Sequence, residues 1–276
     1  MSAVKKSMVV ERLRKAQIVE FLSKEKRLDG RDLLDFRPIK IETGIIEKAN
    51  GSARVQIGNT QVIAGVKIDI GEPFPDTPEK GLLVVNAEVL PLSSAYAEPG
   101  PPDEDAIELA RVVDRGIRES QMIDLSKLVL IQGKKVYAVF IDVDILDTDG
   151  NLFDAVSYAT VASLATSTMP KFSIDQNELI TQEEESTHLH INCIPVSITL
   201  AKIGDEFIID PTSEEEAVMD TRITFTFDDE GNIRAGQKGL PGTLDFDQVK
   251  LAVNIAKTKA KEIRKIIKES IKDAKR

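Results

Sequence analysis

Apolar positions along the chain alternate between a period of two and a period near 3.6, and each switch marks a predicted element. Residues Val9–Leu22 read as an amphipathic helix in which Val9, Leu13, Ala16 and Leu22 share part of a face, with Arg12, Arg14, Lys15 and Glu20 largely elsewhere. A charged turn over Lys24–Arg31 leads to strands at Pro38–Glu42, Ser52–Ile57 and Gln61–Ile70, with turns near Asn50-Gly51 and Gly58-Asn59. The proline-rich, acidic segment Gly71–Gly81 is a surface excursion, after which Leu82–Leu90 returns to strand. Asp103–Gln121 is a helix: Pro101 and Pro102 suit its start, and the acids that follow complement the positive end of its dipole.

Strands follow at Lys127–Ile131 and Lys134–Leu146. The second carries apolar residues on both faces, which predicts a central position in a sheet. Phe153–Thr168 is a helix of small apolar residues, suited to close packing on a sheet and ended by Pro170. The second half repeats the pattern, with strands at Cys193–Lys202, Glu206–Ile209 and Arg222–Asp228, a hairpin turn at Asp229–Asn232, and a glycine-rich stretch over Ile233–Thr243. A long helix, Asp245–Ile271, closes the chain, with Ala252, Ala256, Ala260, Ile263, Ile267 and Ile271 as its apolar stripe and lysines over much of the rest. Strands followed by a helix, twice, argue an α+β fold, α/β-like in its grammar, with two similar lobes.

Composition narrows the class. The 276 residues are 42% hydrophobic and 30% charged, as in globular proteins, and no apolar run is long enough to cross a bilayer. The first residues are basic but lack a continuous hydrophobic segment or cleavage signal, so a cytoplasmic location is expected. Cys193 is the only cysteine, which excludes an internal disulfide. Its apolar surroundings, HINCIPVSITL, read as a buried strand. A formal charge of -10 means that any nucleic-acid contact must come from a local basic patch.

Two clusters carry candidate chemistry. In FIIDPTSEEEAVMD, Asp210, Glu214, Glu215, Glu216 and Asp220 crowd together. Carboxylates within reach of one another bind Mg²⁺ or Mn²⁺, which assist phosphoryl transfer. The plainer alternative is a helix start with acids at the positive end of its dipole. In ARVVDRGIRES, Arg111, Arg115 and Arg118 are spaced by four and three and share a helical face. They form either an anion ladder for the phosphates of a single strand or internal pairs with Glu108, Asp114 and Glu119. The stretches GQKGLPG and TDGN match no phosphate-binding fingerprint, and DTDGNLFDA holds no arginine or lysine. His188 and His190 would share a face of a strand, but no third metal ligand stands at a familiar spacing.

Four segments together resemble the RNase PH superfamily: RLDGRDLLDFRPIKIETGIIEKANGSARVQIGNTQVIAGVK (Arg27–Lys67), LARVVDRGIRES, DVDILDTDGNLFDA and IIDPTSEEEAVMD. The resemblance runs from Leu28 to the final helix and is strongest to the non-catalytic RNase PH-like subunits of archaeal exosomes. It implies two βαβα lobes of the ribosomal protein S5 domain 2-like type, divided as a helical extension over 1–27 and lobes over 28–185 and 186–276. Active members degrade RNA from its 3′ end with inorganic phosphate and release nucleoside diphosphates. The expected setting is an alternating hetero-hexameric ring, a trimer of dimers with a catalytic paralogue. Cap proteins with S1 and KH or zinc-ribbon domains sit on the ring, single-stranded RNA threads its pore, and no membrane is involved.

The departures from the family pattern imply loss of activity. Asn151, Leu152 and Phe153 stand where active members carry a GGTRT-like phosphate-holding turn. Glu216 falls near the first position of the family's acidic element, and Asp220 follows after four residues instead of six. Displaced carboxylates do not support catalysis. The resemblance therefore implies no catalytic residue, metal or cofactor in this chain. Inorganic phosphate, with Mg²⁺ as a candidate, serves the assembled complex. The former active-site region comprises Asn151, Leu152, Phe153, Asp210, Glu216 and Asp220. Arg111 and Arg115 point toward RNA, while Arg118 either assists or pairs internally. Two alternatives stay open: a self-sufficient phosphorolytic exoribonuclease using Asp210, Glu216 and Asp220, and a structural ring component without RNA contact.

Overall fold

The computed structural model describes residues 13–93, 100–174 and 180–274. It opens on helix α1 over residues 13–22. The first sheet is built from β1 (Ile39–Thr43), β2 (Gly51–Ile57), β3 (Thr60–Gly71) and β4 (Leu82–Val89), followed in sequence by α2 (Glu104–Glu119), β5 (Val129–Ile131) and β6 (Lys135–Asp147). Its order is β1-β2-β3-β6-β4, with β5 also on β6. All pairs are antiparallel except β4 with β6, which places β4 at an edge beside α2. Then come α3 (Leu152–Ala165), a hairpin of β7 (Thr168–Ile174) and β8 (Ile180–His188), and the strands β9 (Val196–Ile203) and β10 (Glu206–Ile209). The short helix α4 (Ser213–Glu216), β11 (Thr221–Phe227), β12 (Ile233–Gly239) and α5 (Phe246–Ala274) complete the chain. The second sheet runs β10-β9-β11-β12, antiparallel throughout.

Helix α3 explains how the sheets come together. Every residue from Asp154 to Leu164 is buried, so the helix has no solvent face and packs against both sheets. Small side chains make this possible. Buried residues of both sheets, α3 and α5 form one continuous apolar cluster. At Gly51, on β2, a Cβ would run into the Ser163 carbonyl and Ser167. Gly51→Ala is therefore expected to lower stability by about 1–3 kcal/mol through overpacking. Chemical denaturation would read this as a lower midpoint at an unchanged slope.

The central strand β6 and the helices α2, α3 and α5 fall where the hydrophobic pattern predicts them. Asp103 caps α2 by accepting from the Ala106 N–H at 2.8 Å. In α5 the residues Ala252, Ala256, Ala260, Ile263 and Ile267 are buried. Other segments differ. Residues 1–12 of the first predicted helix lie outside the described residues. In the remainder Leu13 and Ala16 are exposed; Leu22 is buried as predicted, joined by Ile18, and the two dock on Ala201, Ile203, Ile208 and Val218. Helix α3 stops at Ala165, and Pro170 lies within β7 instead of ending the helix. The glycine-rich stretch holds the edge strand β12, whose exposed positions carry no apolar alternation for the sequence pattern to register. The strand predicted from Cys193 begins at Val196; Cys193 is half-buried in the preceding connection, its thiol 3.4 Å from the Ser120 carbonyl. Among the described residues, no helix is long and apolar enough to cross a membrane.

Candidate functional site

The acidic segment does not form a cluster around a common centre. Asp210 follows β10 in the left-handed region (φ 47°) and is fully buried. Arg37 grips it with its backbone N–H at 2.8 Å, Nε at 2.9 Å and Nη2 at 2.7 Å. Arg31 donates a further bond at 2.9 Å, and Asn151 Nδ2 another at 2.9 Å. Burial works against the charge of Asp210, but the Arg37 bonds and charge, with Asn151, outweigh it and hold the carboxyl below its ordinary range. Glu215 is buried against Arg27, which also donates to the carbonyls of Ile209 and Asp210 at 2.9 Å. With Thr212 it closes a capping box at the start of α4. Glu214 pairs with Arg14 at 3.0 Å, and Asp220 pairs with Lys15 at 2.5 Å while accepting from the Gly204 N–H. Asp220 is thus tied to α1 and the β9–β10 turn, and shares no partner with Asp210. Among the described residues, no group of three or more His, Cys, Asp or Glu side chains could hold a metal ion.

The turn into α3 docks on the same region. Gly150 (φ 81°) allows the backbone to press on residues 211–213, and a Cβ there would lie 2.7 Å from the Thr212 carbonyl carbon. Asn151, also left-handed (φ 57°), donates its backbone N–H to Glu216 at 2.8 Å and its side-chain amide to Asp210 and Asp154. Leu152 packs against the core. Phe153 lies under the Arg222 guanidinium, 4.3 Å from the ring centre, and Arg222 is paired with Glu108 at 2.6 Å. An aromatic ring and an internally paired arginine therefore stand where the resemblance would place a phosphate-holding turn.

Burial raises both Asp154 and Glu216 to about 7, even though part of the Glu216 residue reaches the surface. Asp154 is fully buried and accepts from Thr199, whose Oγ1 is 2.8 Å away. A carboxyl raised in the folded state favours folding when protonated. Its contribution is complete below the unfolded value near 4 and is lost as pH rises through about 7. Asp154→Asn should flatten the fall in stability between these pH values, measured by urea denaturation at pH 4.5 and 7.5. An unchanged pH slope would contradict this assignment.

The three α2 arginines have three different environments. Arg111 is exposed and has no bonding partner among the described residues. Arg115 is exposed and donates Nη1 to Gln237 Oε1 at 3.1 Å. Arg118 is bound to Asp114 at 2.7 and 3.0 Å and to the Leu83 carbonyl at 3.0 Å; the hydrogen bond to Asp114 is the main cause of its raised pKa. Arg111 and Arg115 together line two shallow depressions. One, of about 430 Å³, lies between α2 and β4; the other, of about 350 Å³, lies between α2 and β12. His188 and His190 are exposed on the rim of a separate depression with Cys193 and Lys268.

Arg27, Arg31 and Arg37 were not singled out by the sequence reading. They stand in RLDGRDLLDFR; Arg31 also meets Asp29 nearby, but Glu215 and Asp210, the buried acids the three arginines hold, lie 173 to 188 positions later, and no local pattern reports a pairing at that separation.

Two sheets sharing a central buried helix, with a polar helix across their junction, define the RNase PH fold of the ribosomal protein S5 domain 2-like type. The chain belongs to the 3′ exoribonuclease family, matching domain 1 over residues 35–170 and domain 2 over residues 193–259. It is 50% identical to the exosome complex component Rrp42 of Pyrococcus horikoshii, over 96% of this chain and 97% of that one. It is 49% identical to the Rrp42 component of Thermococcus gammatolerans, over 94% and 95%. Among solved structures it is similar to a chain of the Archaeoglobus fulgidus exosome with RNA bound to the active site, with a TM-score of 0.85 and 42% identity over 93% of this chain and 98% of that one.

Proposed function

We propose that this chain is a non-catalytic subunit of an archaeal exosome core ring, supporting 3′→5′ phosphorolytic RNA degradation by a catalytic paralogue and contributing Arg111 and Arg115 to RNA binding. The class of assembly is supported by relatives that are exosome complex components and by a similar chain from an exosome with RNA bound to its active site; the alternating hetero-hexameric ring is part of the proposal. Cap proteins with S1 and KH or zinc-ribbon domains complete the proposal. So does the division of the chain into an extension over 1–27 and lobes over 28–185 and 186–276.

The observation that carries the reading is the contrast between the two charged regions. Asp210 and Glu215 are held by buried arginines, Glu216 by the Asn151 backbone, and Glu214 and Asp220 by Arg14 and Lys15, so the acids do not converge on one substrate position. Arg111 and Arg115 are exposed, and neither is paired with a carboxylate among the described residues. Exposed guanidinium groups one turn apart hold successive phosphates without reading bases. In this mechanism inorganic phosphate attacks the terminal phosphodiester at a site lying mainly in the paralogue. This chain holds the approaching backbone and orders its neighbour.

The test is release of nucleoside diphosphate from the 3′ end of single-stranded RNA with inorganic phosphate and Mg²⁺, comparing this chain alone, a catalytic RNase PH-like paralogue alone, and the pair. Activity is expected with the paralogue and is greatest in the pair. Phosphate-dependent release by this chain alone, abolished by Glu216→Gln, would overturn the non-catalytic assignment.

A further inference from the structure

Arg115 reaches from α2 to the far side of the molecule's sheet junction, and its partner is neutral. We propose that Gln237, on the edge strand β12, is a positioning residue that holds the Arg115 guanidinium for RNA phosphates; the inference rests on the RNA-binding reading above.

The geometry separates this pair from its neighbours. Arg118 is bound to a carboxylate, which compensates its charge, whereas Arg115 meets the carbonyl oxygen of an amide at 3.1 Å and keeps its full charge. One of the five guanidinium N–H donors is used, leaving four for phosphate. An exposed arginine otherwise has a large rotamer freedom to lose when it binds, and a pre-existing bond to a fixed acceptor reduces that loss.

The sheet sets where Gln237 stands. The residue is half-buried and pairs with Thr224 in the antiparallel register of β11 and β12. Its Nε2 lies 3.4 Å from the Lys238 carbonyl, with Oε1 facing Arg115. The helix is held over these strands at two further points. Glu108 pairs with Arg222 of β11 at 2.6 Å, and buried Gly116 brings α2 so close that a Cβ would lie 3.2 Å from Thr226 Oγ1. The second sheet thereby sets where an arginine of the preceding helix stands. Arg111, one turn earlier, has no such acceptor among the described residues.

The experiment uses rings assembled with the catalytic paralogue and measures affinity for a single-stranded oligoribonucleotide across a salt series. Arg115→Ala, Gln237→Ala, Gln237→Glu and the Arg115→Ala/Gln237→Ala pair are compared with the parent, with ring assembly and melting checked for each. Gln237→Ala is expected to weaken binding about 3- to 10-fold, the scale of one side-chain hydrogen bond, with the salt slope unchanged. Gln237→Glu should compensate the Arg115 charge and reduce the slope of log K against log salt by about 0.7, one single-strand phosphate contact. In the Arg115→Ala background, Gln237→Ala should have no further effect. If Arg115→Ala weakens binding but Gln237→Ala does not, or if their effects add fully, the positioning role is overturned and the RNA reading stands. If Arg115→Ala changes neither affinity nor slope, the RNA role of Arg115 fails, and the positioning role with it.

Discussion

Arg37→Ala is expected to destabilise the fold by about 3–5 kcal/mol, the loss that follows when one member of a buried ion pair is removed. The change takes two of the three bonds that Arg37 donates to Asp210, which remains fully buried. The backbone donor survives the substitution, but the two guanidinium bonds do not. Arg31 and Asn151 each still donate one bond, too few to replace a bidentate guanidinium. Bonds from Arg37 to the Asp149 and Gly150 carbonyls also go, loosening the turn into α3 from the second sheet. Lysine is expected to rescue little, because a point charge cannot reproduce the two-pronged contact. Urea denaturation of Arg37→Ala and Arg37→Lys checks the argument. A loss below about 1 kcal/mol for Arg37→Ala, a surface-pair magnitude, would refute the buried-pair assignment.

In the assembled ring, Arg111→Ala with Arg115→Ala should weaken single-stranded RNA binding by about 10- to 100-fold at low salt. Each hydrogen-bonded charge contact contributes on the order of 1.5–3 kcal/mol in isolation, less when exposed and screened. The salt slope should fall by about 1.4, the value for two single-strand phosphates. The loss should be similar for RNAs of different sequence, because phosphate contacts carry no base information. Arg118→Ala should cost much less, since Asp114 already compensates its charge. Unchanged affinity and slope in the double variant would instead favour a ring component that does not touch RNA.

The two charged segments were unequally legible in the sequence. The α2 arginines were readable because their spacing and their acidic neighbours lie within a few turns of one helix. Even so, the choice between phosphate ladder and internal pairing was made arginine by arginine. Asp114 takes Arg118, Gln237 takes Arg115 and no described residue takes Arg111. For the acids, local crowding was misleading. Neighbours along the chain turn to different partners, Arg14, Arg27, Asn151 and Lys15, because a short capped helix sends successive side chains in different directions.

Local pattern alone determined the central strand β6, the small-residue helix α3 and the apolar stripe of α5. These are properties of side-chain period, volume and type, which act over a few residues. The tertiary structure decided the rest. It placed strand β12 where glycines hid the pattern, seated Pro170 in a strand, and turned Ile18 inward in place of Leu13 and Ala16. It also closed Arg27, Arg31 and Arg37 on acids far along the chain. Such pairings depend on which surfaces meet when the two sheets close on α3, and burial then makes an unpaired charge too costly to keep.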